Sequence, residues 1–272
     1  MYRSRVLERL FGHRWPLIGV VHLPALPGSP FATLSFDEVR ARALADAEAL
    51  LSGGFDGLIV ENFGDRPFFP DAVEPHTVAA MALVVRDVVA LAKGRAIGVN
   101  VLRNDVRSAL GIAAATGAAF VRVNVHVGAM VTDQGIVEGR AHETLRYRKS
   151  LGAPVAILAD VLVKHARPLG QEDLEASARD TFRRAGADGL IVTGSGTGEA
   201  ADLERVRRAR AAVPEAPVLV GSGVTAETMV SVVRAAHSAI VGTATKHGGR
   251  VEETVDQRRV AELVQARDSA LM

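Results

Sequence analysis

The feature that most limits what this chain can fold into is a rhythm of eight short apolar runs rich in Val and Ile. They are "PLIGVVHL" (16–23), "GLIVEN" (57–62), "AIGVNVL" (96–102), "AFVRVNVH" (119–126), "VAILADVLV" (155–163), "GLIVTG" (189–194), "PVLVGSG" (217–223) and "AIVGTA" (239–244). Runs of this length and composition read as buried strands. Each is followed by a segment with helical spacing, such as "SFDEVRARALADAEALLSGG" and "EDLEASARDTFRRAGA". Gly53, Gly117 and Gly186 close three of these helices, where a left-handed residue costs least. Strand starts recur about every 20 to 40 residues, the length of a βαβ repeat. Eight such units in 272 residues predict a single-domain (β/α)8 barrel. An open doubly wound sheet is the rival, but no run here opens into a GxGxxG helix start. The expected division is a capping helix within 1–15, eight β/α units over 16–250 and a C-terminal helix within 251–272.

Composition removes several classes of function. Hydrophobic residues make up 48% of the chain, and 32 basic residues balance 31 acidic ones to a formal net charge of +1. Such a balance gives no reason to expect nucleic acid as a partner. The absence of cysteine excludes disulfides, thiolate catalysis and Cys-based zinc sites. The start, "MYRSRVLERLFGHRW", lacks the apolar core of a signal peptide. No apolar run nears the roughly 18 residues of a membrane span. A cytoplasmic location is expected.

In a barrel of this kind the loops after the strands carry the chemistry. The last third supplies three Gly/Ser/Thr loops, in "ADGLIVTGSGTG" (187–198), "PVLVGSGVTAETM" (217–229) and "SAIVGTATKHGG" (238–249). Glycine lets backbone N–H groups turn outward, and a helix starting just beyond favours an anion. Gly221, Ser222 and Gly223, with Gly242 and Thr243, are therefore candidate phosphate ligands, although ordinary tight βα turns need the same glycines. Gly194 and Ser195 are candidates to flank that site, in a loop running to Gly198 that also fits a small lid.

The other strand ends are polar. The first ends at His22; the second presents Glu61, Asn62 and Asp65; the third presents Asn100, Arg103, Asn104 and Asp105. The two-residue period puts Arg122, Asn124 and His126 on one face of the fourth, and Asp160 and Lys164 on one face of the fifth, with His165 on the other. Buried charge is costly unless paired, so this ring is either a functional pocket or a closed salt-bridge network. Asp105 equally fits a helix cap, and Arg122 a partner for Glu61 or Asp160. The catalytic candidates are His22, Glu61, Asn100, Arg122, Asn124, Asp160 and Lys164.

Lysine usage sharpens the choice, for the chain holds 28 arginines and four lysines. Lys93 and Lys149 fall near helix ends, where cations are favourable. Lys164 and Lys246 fall at the mouths of the fifth and eighth strands. Arginine keeps its proton in a protein, whereas a buried lysine can lose it and attack a carbonyl. Lys164 fits a Schiff-base former, a cationic phosphate ligand or an ion-pair partner of Asp160. The expected arrangement sets Asp160 beside Lys164, across the pocket from Glu61 and Asn124. His22, Glu61, Asp160 and His165 also offer nitrogen and oxygen ligands to a divalent metal, without any HExxH-like spacing to tie them together. No cofactor is required, and a divalent metal stays open.

Read together, "IGVVHLPALPGSP", "VENFGDRPF", "IGVNVLRND", "FVRVNVHVGAMVTDQGIVEGRA", "LRYRKSLGA", "ADVLVKHA", "IVTGSGTG", "VLVGSGVT" and "AIVGT" resemble the BtpA/SgcQ family in colinear order from about residue 16 to 260. The resemblance implies a TIM barrel of the ribulose-phosphate-binding type. It also brings a second role, because cyanobacterial members are described as membrane-extrinsic factors in photosystem I biogenesis. The chain departs from the family pattern at His237-Ser238, where Asp-Gly is usual, and in "RVEETVDQRRV", which lacks an expected Asn-Pro.

Two functions follow. One is an enzyme of isomerase or lyase type acting on a small phosphorylated sugar or nucleotide-derived metabolite, favoured by the polar ring and the Gly loops. The other is a non-catalytic stabilising factor for a membrane complex such as photosystem I. The expected partners are a small phosphorylated ligand and further copies of the chain, with peripheral membrane association left open.

Overall fold

A computed structural model of the protein describes residues 5–194 and 202–272. The chain begins with helix α1 (Arg5–Phe11), then alternates strand β1 (Leu17–His22), helix α2 (Phe36–Ser52), β2 (Gly57–Glu61), α3 (Pro75–Leu91), β3 (Ala96–Asn100), α4 (Val106–Thr116) and β4 (Phe120–Val123). A hairpin of β5 (Ala129–Thr132) and β6 (Gly135–Glu138) intervenes before α5 (Ala141–Leu151), β7 (Ala156–Asp160), the short β8 (Ala166–Pro168) and α6 (Leu174–Arg179). The chain finishes with β9 (Gly189–Val192), α7 (Leu203–Ala212), β10 (Val218–Val220), α8 (Met229–Ala235), β11 (Ser238–Val241) and α9 (Gln257–Leu271).

Eight strands close a parallel barrel in the order β1-β11-β10-β9-β7-β4-β3-β2. All eight apolar runs of the sequence supply one barrel strand each. Closure falls between β1 and β11, where Ile18 pairs with Ile240 and Gly19 with Val241. Because side chains alternate, one set of strand residues faces the helices and the other fills the barrel. Leu17, Val21, Leu58, Val60, Ile97, Val99, Val121 and Ile157 belong to the outer core shared with the helices. Ile18, Val20, Ile59, Phe120, Leu158, Ile191, Leu219 and Ile240 form the inner one, with Leu7 and Phe11 of α1 packed into the same cluster. The rings of Phe11 and Phe120 meet edge-on at 5.5 Å. Each large apolar side chain fully buried this way contributes roughly 1.5–3 kcal/mol.

Two local features differ from the sequence reading. The chain around "VTDQG" is a hairpin, and β8 joins it in an antiparallel sheet ordered β6-β5-β8. Gly135, at φ +98°, makes the tight reversal, while Met130 and Val137 pack beside Val125 and Val163. At the end of α2, the left-handed residue is Gly54 (φ +104°), whereas Gly53 is right-handed. Gly53 answers a different need, since a Cβ there would lie 2.3 Å from Val260 of α9. Gly117 and Gly186 are left-handed, at +84° and +64°. Among the described residues no helix is long and apolar enough to cross a membrane.

Candidate active site

The alternation that fills the barrel also builds its polar mouth. His22 lies two residues beyond inward Val20, Glu61 two beyond Ile59, Arg122 two beyond Phe120 and Asp160 two beyond Leu158. Thr193, Gly221 and Gly242 stand likewise two beyond Ile191, Leu219 and Ile240. The same stepping carries these seven strands from an apolar layer to a layer of ionisable groups, threonine or glycine, at the strands' C-terminal ends.

Two networks organise these groups. In one, Asn100 Nδ2 donates to Glu61 Oε2 at 3.0 Å, and His22 Nε2 lies 3.5 Å from Glu61 Oε1. In the other, Arg122 donates to Asp160 twice, from Nε at 3.1 Å and Nη2 at 3.0 Å, and Asn124 Nδ2 donates to Asp160 Oδ2 at 2.7 Å. Both Asp160 oxygens are thus engaged inside the protein, and its side chain has no solvent exposure. Asn124 stands beside Asp160 rather than across from it, which corrects the expected arrangement. Lys164 is placed by its backbone: its N–H donates to Thr193 Oγ1 at 3.1 Å, and its carbonyl accepts from Arg103 Nη2 at 2.7 Å.

Burial and charge set the protonation states. Burial pushes the His22 pKa down from 6.5 to about 4, against the opposing pull of Glu61. For Glu61, burial favours the neutral acid, but His22, Arg122, Lys164 and the Asn100 hydrogen bond together hold its pKa below the ordinary value. His22 adds to this only when protonated, so at neutral pH the two cations and Asn100 keep Glu61 ionised. Burial, then the charge of Arg122, pulls the Lys164 amine from 10.5 to about 8, although Glu61 and Asp160 work the other way. The mouth therefore holds an ionised carboxylate, a neutral imidazole and an amine that titrates near physiological pH.

The open space has two lobes. One, of about 280 Å³, is lined by His22, Glu61, Arg122 and Lys164 together with Gly221 to Gly223, Gly242 and Thr243. A larger one, of about 850 Å³, shares Glu61, Arg122, Lys164 and Thr243 and adds Asn100, Arg103 and Asn124. Asp160 lines neither. Gly223 is left-handed at φ +66°, and Thr243 opens a 3-10 turn over Thr243–Thr245, whose first amides have no acceptor within the turn. Gly221 serves differently from the expectation: its amide donates to the Val192 carbonyl, so it has no proton to offer a ligand. Its missing side chain keeps space open, since a Cβ there would lie 2.5 Å from Ile191. Ser222 Oγ accepts from the Gly194 amide at 2.6 Å, tying two loops together. Gly194 borders a separate cavity of about 580 Å³ with His165 and Thr193. Ser195 lies outside the described residues.

Other sequence candidates have structural work. Asn62 accepts from the Leu102 amide and donates to Asp65, Asn104 exchanges two hydrogen bonds with the Val125 backbone, and Asp105 caps α4 by accepting from Ser108. His126 does not share the face of Arg122 and Asn124. β4 ends at Val123, so the two-residue period stops there, and the His126 ring meets the Ala185 carbonyl instead. Lys246 is also corrected: it is fully buried in an ion pair with Asp46 of α2 and lines neither lobe. The four suggested metal ligands do not converge, and among the described residues no three His, Cys, Asp or Glu side chains are grouped as a metal site. Sequence reasoning missed Phe63, Arg66, Phe68, Asp133 and Arg250, which line the larger lobe. For Asp133 the signal was its place at the tip of the "VTDQG" turn.

A model of the BtpA family matches residues 13–269. The chain belongs to the BtpA family. A relative within it, photosystem I biogenesis protein BtpA of Synechocystis sp., is 47% identical over 251 residues, or 92% of this chain and 87% of that protein. Among solved structures, KGPDC from Streptococcus mutans superposes with a TM-score of 0.61 at 11% identity, covering 96% of this chain and 100% of that one. N-(5'-phosphoribosyl)anthranilate isomerase from Pyrococcus furiosus gives 0.55 at 12%, covering 93% and 99%. Identities this low show a common barrel fold alone. His237 and Ser238 serve the opposite end of the barrel. There His237 Nδ1 accepts from the Val218 amide at 3.0 Å, and Ser238 Oγ donates to the Pro16 carbonyl at 2.7 Å.

Proposed function

We propose that this BtpA-family barrel is an enzyme of isomerase or lyase type acting on a small phosphorylated sugar or nucleotide-derived metabolite. The observation that carries the reading is the composition of the smaller lobe, where the Gly loops and His22, Glu61, Arg122 and Lys164 line one space. Turned-out amides at Gly223 and Thr243 suit a phosphate, and Arg122 and Lys164 add positive charge nearby. A ligand anchored there extends toward Glu61 and Lys164. The fold has a precedent for such a ligand in the phosphoribosyl compound named for the anthranilate isomerase.

The chemistry that fits is proton transfer next to a carbonyl. Glu61, ionised and facing the cavity, takes the proton from carbon. Lys164 as a cation stabilises the oxyanion that develops; as a free amine it adds to the carbonyl and loses water to give a Schiff base. With a pKa of about 8, roughly a tenth of it is neutral at pH 7. Asp160, locked by Arg122 and Asn124, acts as a positioning residue that fixes the Arg122 fork.

The test pairs two variants. Gly223→Leu should lose inorganic phosphate binding in calorimetry while staying folded, at the cost of about 1–2 kcal/mol for a left-handed non-glycine residue, and Lys164→Ala should lose turnover of the substrate. Undiminished phosphate binding in the first variant would sink the anion site. A borohydride-stable adduct at Lys164 selects the covalent route. The name of the Synechocystis relative favours a second reading, a non-catalytic membrane-extrinsic factor for a complex such as photosystem I. Under that reading both variants, folded, replace the relative in Synechocystis cells lacking it; under the enzyme reading neither does.

A further inference from the structure

The larger lobe contains a buried cation whose guanidinium has an unmet donor. Arg103 is 5% exposed, and among the described residues its guanidinium makes one hydrogen bond, from Nη2 to the Lys164 carbonyl. Its Nε is buried without a partner, and among the described residues no carboxylate forms an ion pair with it. This contrasts with Arg122, whose fork is filled by Asp160, and with Arg66 and Arg250, which are exposed and reach Glu252 and Glu253. Burial weakens its hold on the proton, although Asp160, Asp133 and Glu61 pull the other way from beyond ion-pair distance, and an unmet buried donor is costly. On the same lobe Asn124, 3% exposed, keeps Oδ1 buried without a donor. An unmet donor on a cation and an unmet acceptor on the same lobe describe a ligand with an oxyanion and a hydroxyl.

We propose that Arg103 is the centre of a second anion subsite, so that the ligand carries two anionic groups. One is the phosphate held by the Gly223 and Thr243 loops. The other is a carboxylate or second phosphate on Arg103, with a neighbouring hydroxyl donating to Asn124 Oδ1. The inference rests on the proposed phosphate site and narrows its ligand class from phosphorylated sugars to sugar-acid phosphates and sugar bisphosphates. The geometry is consistent: Glu61, Arg122 and Lys164 border both lobes, so the reacting carbons of a doubly anchored chain lie against them. Two fixed ends also hold a short flexible chain in one orientation, which proton transfer at a chosen carbon requires.

Calorimetric titration of the full-length protein with inorganic phosphate, ribose phosphate, phosphoribonate and ribulose bisphosphate tests this. Phosphoribonate or the bisphosphate should bind at least about tenfold more tightly than ribose phosphate, the worth of one charge-assisted hydrogen bond. Which of the two gains more tells carboxylate from phosphate at Arg103. In Arg103→Met the gain should vanish while ribose phosphate keeps its affinity, and Arg103→Lys should restore only part of it. Because the wild-type ranking needs no variant, misfolding of Arg103→Met leaves the test intact. Equal affinities for all three sugar phosphates, or a gain that survives in a folded Arg103→Met, overturn the second subsite alone. Failure of every phosphorylated compound and of phosphate itself overturns the phosphate site, and the subsite with it.

Discussion

Lowering the pH from 6.5 to 4 should remove up to about 3 kcal/mol of folding stability through His22 alone. The side chain is 7% exposed and packs edge-on against Phe63 at 5.1 Å. On its other side it lies so near the backbone that a Cβ on Gly242 would fall 2.5 Å from Cε1. Its Nδ1 is buried with no partner, so a proton added to the ring gains little. Burial accordingly lowers its pKa from 6.5 to about 4 even though Glu61 pulls upward. Between those values the unfolded chain binds a proton that the folded chain refuses, and stability falls as pH falls. Above pH 6.5 both states hold a neutral ring and the contribution is flat. A gap of about 2.5 units at about 1.36 kcal/mol each gives the figure. Urea unfolding of the wild type and His22→Gln, at steps from pH 4 to 7.5, measures it. The wild type's advantage over the variant should hold steady above pH 6.5 and shrink by up to about 3 kcal/mol toward pH 4. Glu61→Gln should extend the fall to lower pH by removing the opposing charge, with its onset still near pH 6.5. Stability curves that run parallel through the window would refute the claim that folding keeps this ring neutral.

Three further outcomes are expected. Arg122→Met strips two hydrogen bonds from the buried Asp160 and should cost about 3–5 kcal/mol in chemical denaturation. Adding Asp160→Leu should recover most of that loss, and no recovery would mean that the cost is lost packing rather than stranded charge. Lys246→Met should destabilise by a similar amount by isolating Asp46, yet leave borohydride trapping at Lys164 unchanged. The pH dependence of kcat/KM separates the roles of Lys164: the Schiff-base route gives a rate rising to a plateau above about pH 8, and the cationic route a rate falling there.

The fold was legible because eight runs repeat one design, and a buried strand in a barrel needs nothing beyond apolar alternation and a helix to cover it. The β5–β6 hairpin was hidden for the opposite reason. Its strands are four residues each, and Val131 and Ile136 are exposed, so no apolar face marks them. The sequence holds a turn signal in "VTDQG", where Gly135 supplies the reversal, but a turn without a patterned strand on either side reads as loop. Gly53 shows a similar limit. A Gly-Gly pair announces a helix end, but the need for glycine at the first of them comes from Val260, distant in sequence and packed against it.

The ring of polar strand ends was legible by counting. Val20 to His22, Ile59 to Glu61, Phe120 to Arg122 and Leu158 to Asp160 are all steps of two from a barrel-filling residue, so their direction follows once the strands are placed. Which ring members pair is a property of the barrel's register and cannot be counted along one strand. β4 meets β7 with Arg122 opposite Leu158 and Val123 opposite Ala159, which leaves Asp160 one step beyond the last pair. There the Arg122 fork and Asn124 converge on the same carboxylate. That offset decides the chemistry, because it consumes Asp160 and leaves Glu61 as the buried carboxylate that lines both lobes. A shift of β7 by one residue would turn Asp160 toward the helices and free Arg122 for Glu61, closing the network across the mouth. The reactive character of the site therefore depends on strand register as much as on which residues the strands end with.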